Sequence, residues 1–334
     1  MTSAAPPVGD LDVVGIGNAL VDVLTHEDES FIEEHELVKG SMTLVDTARA
    51  EALYRAMGAG IEVSGGSAAN TVSGIASFGG RAGYIGRVFD DQLGAVFAHD
   101  MRSTGVLFRA EPATEGPPTG RCLIVVTPDA QRTMHTYLGS SEFLGPEHVD
   151  AELIAAAQVT FLEGYLFDRP EAKEAYWKAS RIAHDAGRRV SLTLSDTFCV
   201  ERHRTEWRDL VADQVDILFA NEAEALCLYE VGTFEEALAA ARADVDVLII
   251  TRGPRGSVVA RGDEVVEIDA HPVEVVDTTG AGDLYAAGFL FGFTHGRTME
   301  TCGQLGSVAA SAVLGHTGAR PGASLGQLVR PLGL

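Results

Sequence analysis

Residues 277–293 read DTTGAGDLYAAGFLFGF: Asp277, two threonines, the small residues Gly280, Ala281 and Gly282, then Asp283 and an apolar run. The apolar run predicts a buried helix, and the tiny residues ahead of it leave the helix start unshielded. First-turn N–H groups of such a helix point at whatever lies beyond its end, and the helix dipole favours an anion there. Asp283 falls in that same first turn, where a carboxylate can accept a proton from an attacking hydroxyl. Ordinary capping also places acids in first turns. Several Gly and Ala at a helix start, however, lower helix stability and ask for a compensating reason.

Upstream of this stretch the chain alternates strand and helix from about residue 150. VTFLEG (159–164) precedes a helix to about 187, RRVSLTLS (188–195) a second, and VDILFANEAEA (215–225) and VDVLIITRG (245–253) continue the series into a hairpin through VVARGDEVVEI (258–268). This alternation predicts an α/β fold with a doubly wound, mostly parallel sheet flanked by helices on both faces. Nearer the start, LDVVGIGNAL (11–20) reads as a buried strand ending in a Gly-rich turn, and IEVSGGSAANTVSGIASFGG (61–80) as strand, Gly-Gly turn and helix. Two stretches break the pattern. Residues 25–39, THEDESFIEEHELVK, are heavily charged and suit a core poorly. GVLFRAEPA (105–113), TGRCLIVVTPD (119–129) and QRTMHTYLG (131–139) are extended and alternating, as antiparallel strands are, with Pro128-Asp129-Ala130 as a turn. These segments, about 24–46 and 106–137, are expected to form a small β-lid on one domain spanning 10–334, after a disordered tail at 1–9.

The chain has 334 residues, 46% of them hydrophobic, enough for one large core. Its formal net charge of -23 argues against nucleic acid and anionic membranes as partners. An acidic protein that binds a phosphorylated ligand needs a local positive site, made from backbone N–H groups, a few arginines and metal ions. The four cysteines, Cys122, Cys199, Cys227 and Cys302, form no C-x-x-C pair and read as free thiols of a reducing compartment. MTSAAPPVGD shows no basic and apolar leader, and no apolar run approaches the roughly 18 residues of a membrane span. The expectation is a cytoplasmic protein acting on a small molecule as a monomer or homodimer. No H-E-x-x-H, Cys/His cluster or Walker A run is present.

DTTGAGD resembles, at every position, the C-terminal signature of the ribokinase family, also called the PfkB carbohydrate kinases. The resemblance extends through nearly the whole chain. It implies an ATP-dependent transfer of the γ-phosphoryl group to a hydroxyl, with Asp283 as base and Gly280, Ala281 and Gly282 forming the anion hole. GGSAAN (65–70) resembles the N-terminal signature, which implies that Gly65, Gly66 and Asn70 line the acceptor site; read alone, it is also a plain helix-start turn. The resemblance likewise assigns Asn18 and Asp22, in GIGNALVD (15–22), to acceptor hydroxyls. A dinucleotide fingerprint is the competing reading there and fails at Leu20, where its third glycine would stand. Asn221 and Glu224 match an N-x-x-E motif that implies water-mediated contact with Mg²⁺, and Thr251, Gly253 and Gly256 match a turn that implies contact with ATP. His316 stands near the implied adenine site, although a structural role is the commoner one for such a residue. Arg132, in the turn of the extended pair, reads either as a surface arginine or as a lid residue reaching down to phosphate or substrate. A potassium-type ion is implied beside the anion hole, held by Asp277, Thr279 and Gly318.

Three stretches are similar to the adenosine kinase branch: SFIEEHELVKGSMTLVD (30–46), Thr119-Gly120-Arg121-Cys122 and GSVAASAVLGHTG (306–318). Adenosine is therefore the expected acceptor, with Phe31, Ile32, Leu37, Met42, Leu44, Leu123 and Val125 as apolar cover for its base. The same residues would equally pack the lid to itself. Ribose, fructose or a related sugar is the alternative acceptor, and a binding module without catalysis the second alternative, against which Asp283 and its small neighbours argue.

Overall fold

The computed structural model describes residues 9–129 and 131–333; the expected tail falls almost wholly outside them, as does Ala130 of the expected turn. Fourteen strands follow in chain order: β1 (Leu11–Ile16), β2 (Leu20–His26), β3 (Met42–Leu44), β4 (Ile61–Gly65), β5 (Ala82–Ile85), β6 (Leu107–Phe108), β7 (Gly120–Val126), β8 (Arg132–Tyr137), β9 (Ala157–Glu163), β10 (Arg189–Thr193), β11 (Ile217–Asn221), β12 (Val247–Thr251), β13 (Ser257–Arg261) and β14 (Glu264–Ile268). They form a nine-stranded sheet in the order β14-β13-β12-β11-β10-β9-β1-β5-β6 and a five-stranded sheet in the order β3-β8-β7-β2-β4. In the large sheet β6 through β12 are parallel neighbours, and only the β12–β13–β14 edge is antiparallel.

Buried on both faces, these strands are nearly continuous runs of β-branched and aliphatic residues, as parallel strands must be. The period of two then divides each run between two cores. Phe161, Ile217, Phe219, Val247 and Ile249 join helices Ser67–Phe78, Gln92–Ser103, Ala281–Thr294 and Met299–Leu314. Leu162, Leu218, Ala220, Leu248 and Ile250 face the other way, onto helices Pro170–Asp185, Thr197–Gln214, Glu222–Tyr229 and Phe234–Asp244. The doubly wound α/β architecture expected from the alternation is the one present.

LDVVGIGNAL is the buried strand and turn expected: β1 ends at Ile16, and the turn leads to β2, which starts at Leu20 in the second sheet. The periphery departs from expectation in two places. GVLFRAEPA contributes only β6, which pairs parallel with β5 in the large sheet and is no part of the small one, whereas β4 joins β2 there. The charged stretch forms the helix Glu29–Glu34, which buries Phe31 and Ile32. Its charges occupy one side while two apolar residues, each contributing about 1.5–3 kcal/mol on full burial, anchor the other. Cys122, Cys199, Cys227 and Cys302 are free thiols. Among the described residues no helix is long and apolar enough to cross a membrane.

Candidate active site

From β1 the chain builds outward to β5 and β6, then returns to β9 and builds the opposite way through β12. This reversal falls between β1 and β9, and ligands of such sheets bind in the crevice beyond the strand ends there. Asn18 follows the end of β1, and Glu163 ends β9. Glu163 Oε1 accepts from the Asn18 N–H (3.2 Å) and Nδ2 (3.0 Å), and its Oε2 accepts from the Ala68 N–H at 2.8 Å. Burial raises the Glu163 carboxyl to about 7, although the Ala68 and Asn18 donors oppose the shift. The Asn18 carbonyl oxygen, Oδ1, accepts from Ser141 Oγ at 2.9 Å, and the residue is only 1% exposed. Both ends of its amide are thus bonded within the protein. The resemblance assigns Asn18 to the acceptor; its amide and backbone N–H also supply donors that the buried Glu163 needs.

The helix Ala281–Thr294 starts as the sequence implied. Gly280 is its N-cap at φ 78, and a Cβ there would stand 2.8 Å from Ala319 Cβ and 2.9 Å from its Cα and carbonyl oxygen. Only glycine suits a left-handed conformation pressed so closely by a neighbouring backbone. The Ala281 N–H turns back to Thr278 O, while the Gly282 and Asp283 N–H groups lie at the open helix end. Asp283 Oδ1 accepts from Ser67 Oγ at 2.6 Å and Oδ2 from Asn70 Nδ2 at 2.9 Å. Burial raises its carboxyl, against the pull of Ser67, Asn70 and Arg320. Asn70 Oδ1 is buried with no hydrogen-bond partner among the described residues, so an acceptor lone pair is left free beside the base. Gly66 caps the helix Ser67–Phe78 at φ 97, with the Asn18 carbonyl 2.2 Å from where a Cβ would be. The Asp22 carboxylate lies directly over Gly65. Its carboxyl is raised to about 6 by burial, with Arg320 and Arg132 holding it down and Asp283 pushing it up.

Asp277 is paired on every side. Its Oδ1 accepts from Thr279 N–H (3.0 Å) and Oγ1 (2.7 Å), and its Oδ2 from the Gly318 N–H (2.8 Å) and Arg132 Nη1. Arg132 Nη1 also reaches Thr279 Oγ1 at 2.9 Å. Burial would raise the Asp277 carboxyl; the Gly318 and Thr279 donors, with Arg132, outweigh it and hold the group below its usual value. Two expectations are corrected here. Arg132 is not a surface arginine: its side chain is 10% exposed and it ties the small sheet to the 277–279 loop. Nor does the Asp277 carboxylate fit a potassium ion as it stands, because N–H groups and a guanidinium already point at its lone pairs. Activity should accordingly be the same in K⁺, Na⁺ and choline at equal ionic strength. Activation by K⁺ alone in initial-rate assays would show that Arg132 gives way to the ion.

The other implied residues gather further along the same sheet edge. Asn221 ends β11 beside Thr251, which ends β12. Glu224 forms a capping box with Asn221, its Oε1 accepting from Asn221 Nδ2 at 2.6 Å and its Oε2 from the Asn221 N–H at 2.9 Å. Burial raises Glu224 to about 7, and Asp196, just beyond β10, adds to the shift. Gly253 and Gly256 bound the turn after β12. His316 is held within its own loop, Nδ1 at 3.1 Å from Thr317 O and Nε2 accepting from the Gly322 N–H at 3.1 Å, the structural reading of that residue. Among the described residues no group of three or more His, Cys, Asp or Glu can hold a metal ion. The Asp196 carboxylate is near enough to oppose ionisation of Glu224, and carboxylates are the groups through which a hard divalent ion that keeps most of its water is bound.

The small sheet turns one face to this crevice. Pairing sets Asp22 beside Cys122 and Thr136, Leu24 beside Ile124, Met134 and Met42, and Val126 beside Arg132. Since Asp22 and Arg132 face the site, Leu24, Ile124, Val126, Met134 and Met42 line the same side. Phe31, Ile32, Leu37, Leu123 and Val125 do not: they pack behind the sheet, with the helix Thr47–Ala56, in the main core. Alternation along β7 separates 123 and 125 from 122, 124 and 126. Glu163, Ser67, Arg320 and Asp196 are site neighbours that sequence reading missed. An acid ending the apolar VTFLEG at a strand terminus was a usable signal for Glu163; nothing local marked Arg320.

Comparison with known proteins agrees with this geometry. The family described as pfkB family carbohydrate kinase matches residues 46–324. A probable sugar kinase from Rhizobium etli CFN 42 has 48% identity and a TM-score of 0.90, covering 98% of this chain and 99% of its own. An adenosine kinase from Sinorhizobium meliloti has 51% identity and a TM-score of 0.89, covering 97% and 100%. A 5-dehydro-2-deoxygluconokinase of Bacillus subtilis (strain 168) is 27% identical over 313 residues, 91% of this chain and 90% of that protein.

Proposed function

The chain belongs to the pfkB family of carbohydrate kinases, and we propose that it transfers the γ-phosphoryl group of ATP to the 5′-hydroxyl of adenosine, giving AMP and ADP. The observation that carries the kinase reading is Asp283 in the first turn of an open helix, held by Ser67 and Asn70 beside unshielded amides. In this mechanism Asp22 and Asn70 Oδ1 hold acceptor hydroxyls over Gly65 and Gly66. Asp283 takes the proton of the attacking hydroxyl as its oxygen bonds to the γ-phosphorus and the bond to the β-phosphate oxygen breaks. Gly282 and Asp283 N–H groups stabilise the charge on the transferring group. Thr251, Gly253, Gly256 and Asn221 line the nucleotide side. Glu224 and Asp196 would hold Mg²⁺ through its water, and the ion would neutralise phosphate charge. The small sheet acts as a lid, with Arg132 closing it over the reacting atoms and shutting out water.

The acceptor reading rests on the crevice face of the lid. Leu24, Met134 and Met42, backed by the buried Ile124 and Val126, offer an apolar surface to which a flat base adds buried area and a free sugar does not. The relatives named 5-dehydro-2-deoxygluconokinase favour a sugar-derived acceptor as the second reading. Coupled ADP-release assays on adenosine, 5-dehydro-2-deoxygluconate, ribose and fructose separate the two. Adenosine should lead in kcat/KM by at least about 10-fold, which needs about 1.4 kcal/mol of differential transition-state binding. A lead by any of the others transfers the reading to that acceptor while leaving the kinase intact.

A further inference from the structure

Arg320 lies outside every motif, yet it occupies the space beneath the acceptor site. The loop that carries it wraps the anion-hole turn: Gly318 donates to Asp277, and Ala319 covers Gly280. Arg320 then turns inward, and Nη2 donates to Ser64 O and Ser64 Oγ, each at 2.9 Å, at the end of β4. Ser64 in turn donates to Asp100 Oδ2 through its N–H (2.8 Å) and Oγ (2.7 Å). The Nε and Nη1 of Arg320 are shut off from solvent and meet no hydrogen-bond partner among the described residues. Buried donors without partners are rare, and a guanidinium keeps its charge.

We propose that Arg320 is a positioning residue that keeps the base Asp283 and the acceptor-site Asp22 ionised together. The proposal rests on the reading of Asp283 as the base. The bonds to Ser64 set the guanidinium beside Gly65, over which Asp22 lies, and Ala319 holds the same loop against the turn that leads to Asp283; Asp22, Asp100, Asp283 and Tyr84 of β5 lie within its electrostatic reach, with no ion pair to it among the described residues. Asp22 and Asp283 oppose each other's ionisation, and both are partly buried. The remaining groups facing Asp283 are neutral donors, Ser67 and Asn70, or acidic groups, Glu163 and Tyr165. Asp22 additionally faces Arg132 and Cys122 from the lid. Arg132 belongs to the lid, so Arg320 is the cation that stays when the lid opens.

The sign follows directly. Removing the guanidinium raises the pKa of the base, so the acid limb of the kcat/KM profile moves to higher pH. Arg320→Met should move that limb up by about one unit and lower kcat/KM below it about 10-fold, recovering at alkaline pH. Arg320→Lys, which keeps a charge, should restore most of the shift. Asp100→Asn frees the guanidinium from a competing carboxylate and should move the limb the other way, which decides the matter if Arg320→Met fails to fold. An unmoved limb in folded Arg320→Met, or in Asp100→Asn, overturns the proposal. Asp283→Asn serves as the control: if its residual activity keeps the same limb, the fault lies with the base assignment and not with Arg320.

Discussion

Asp283→Asn should lower kcat by at least about 10², the lower end of what a positioned general base contributes, with KM for ATP nearly unchanged. Asparagine keeps the size of the side chain; its oxygen can accept from Ser67 Oγ and its Nδ2 can donate to Asn70 Oδ1 once the Asn70 amide turns over, so the fold and the anion hole remain. What it loses is the lone pair that takes the hydroxyl proton. Because burial raises the Asp283 carboxyl, the wild-type rate should fall on the acid side at a pH above that of an ordinary aspartate, and this limb should vanish from the variant. Steady-state kinetics across pH check both statements. Turnover near the wild-type rate would remove Asp283 from the chemistry, whatever its place in DTTGAGD.

Gly280→Ala should be nearly as damaging without touching a titratable group. The new Cβ would meet the backbone of Ala319 at 2.9 Å, not the flexible end of a side chain, and it would sit on a residue at φ 78. The strain is about 1–3 kcal/mol, and the protein relieves it by moving the turn. A displacement of about 1 Å in the groups that position a reacting atom can cost about 10² in rate. The variant should therefore show a lower melting temperature together with a kcat loss of about 10². A wild-type kcat in a protein that melts lower would mean that the turn supports the fold without orienting the amides.

The strand–helix alternation after residue 150 and the DTTGAGD turn were legible because their signals are local. Ile217, Leu218, Phe219 and Ala220 alternate between two buried faces, and any central parallel strand must be apolar throughout. Asp283 was legible because tiny residues at a helix start have few other uses. The lid was misjudged where its register decides the outcome. Leu123 and Val125 differ from Cys122, Ile124 and Val126 only in parity, and composition cannot tell which parity faces the crevice. The resemblance assigns Asn18 to the acceptor, and its bond to Glu163, 145 residues away, is one that no local signal reports. Arg132 meets the Asp277 carboxylate across 145 residues and Arg320 meets Ser64 across 256, and no spacing rule reports such contacts. The contact that bears on the potassium expectation is equally non-local: Arg132 reaches Asp277 from another sheet.

The most direct test is product analysis after incubating the protein with ATP, Mg²⁺ and adenosine. AMP and ADP should appear in equal amounts with no accumulation of inorganic phosphate, and Asp283→Asn should suppress both. ADP appearing with free phosphate and no AMP would contradict transfer to adenosine, and unchanged product formation by Asp283→Asn would contradict the base.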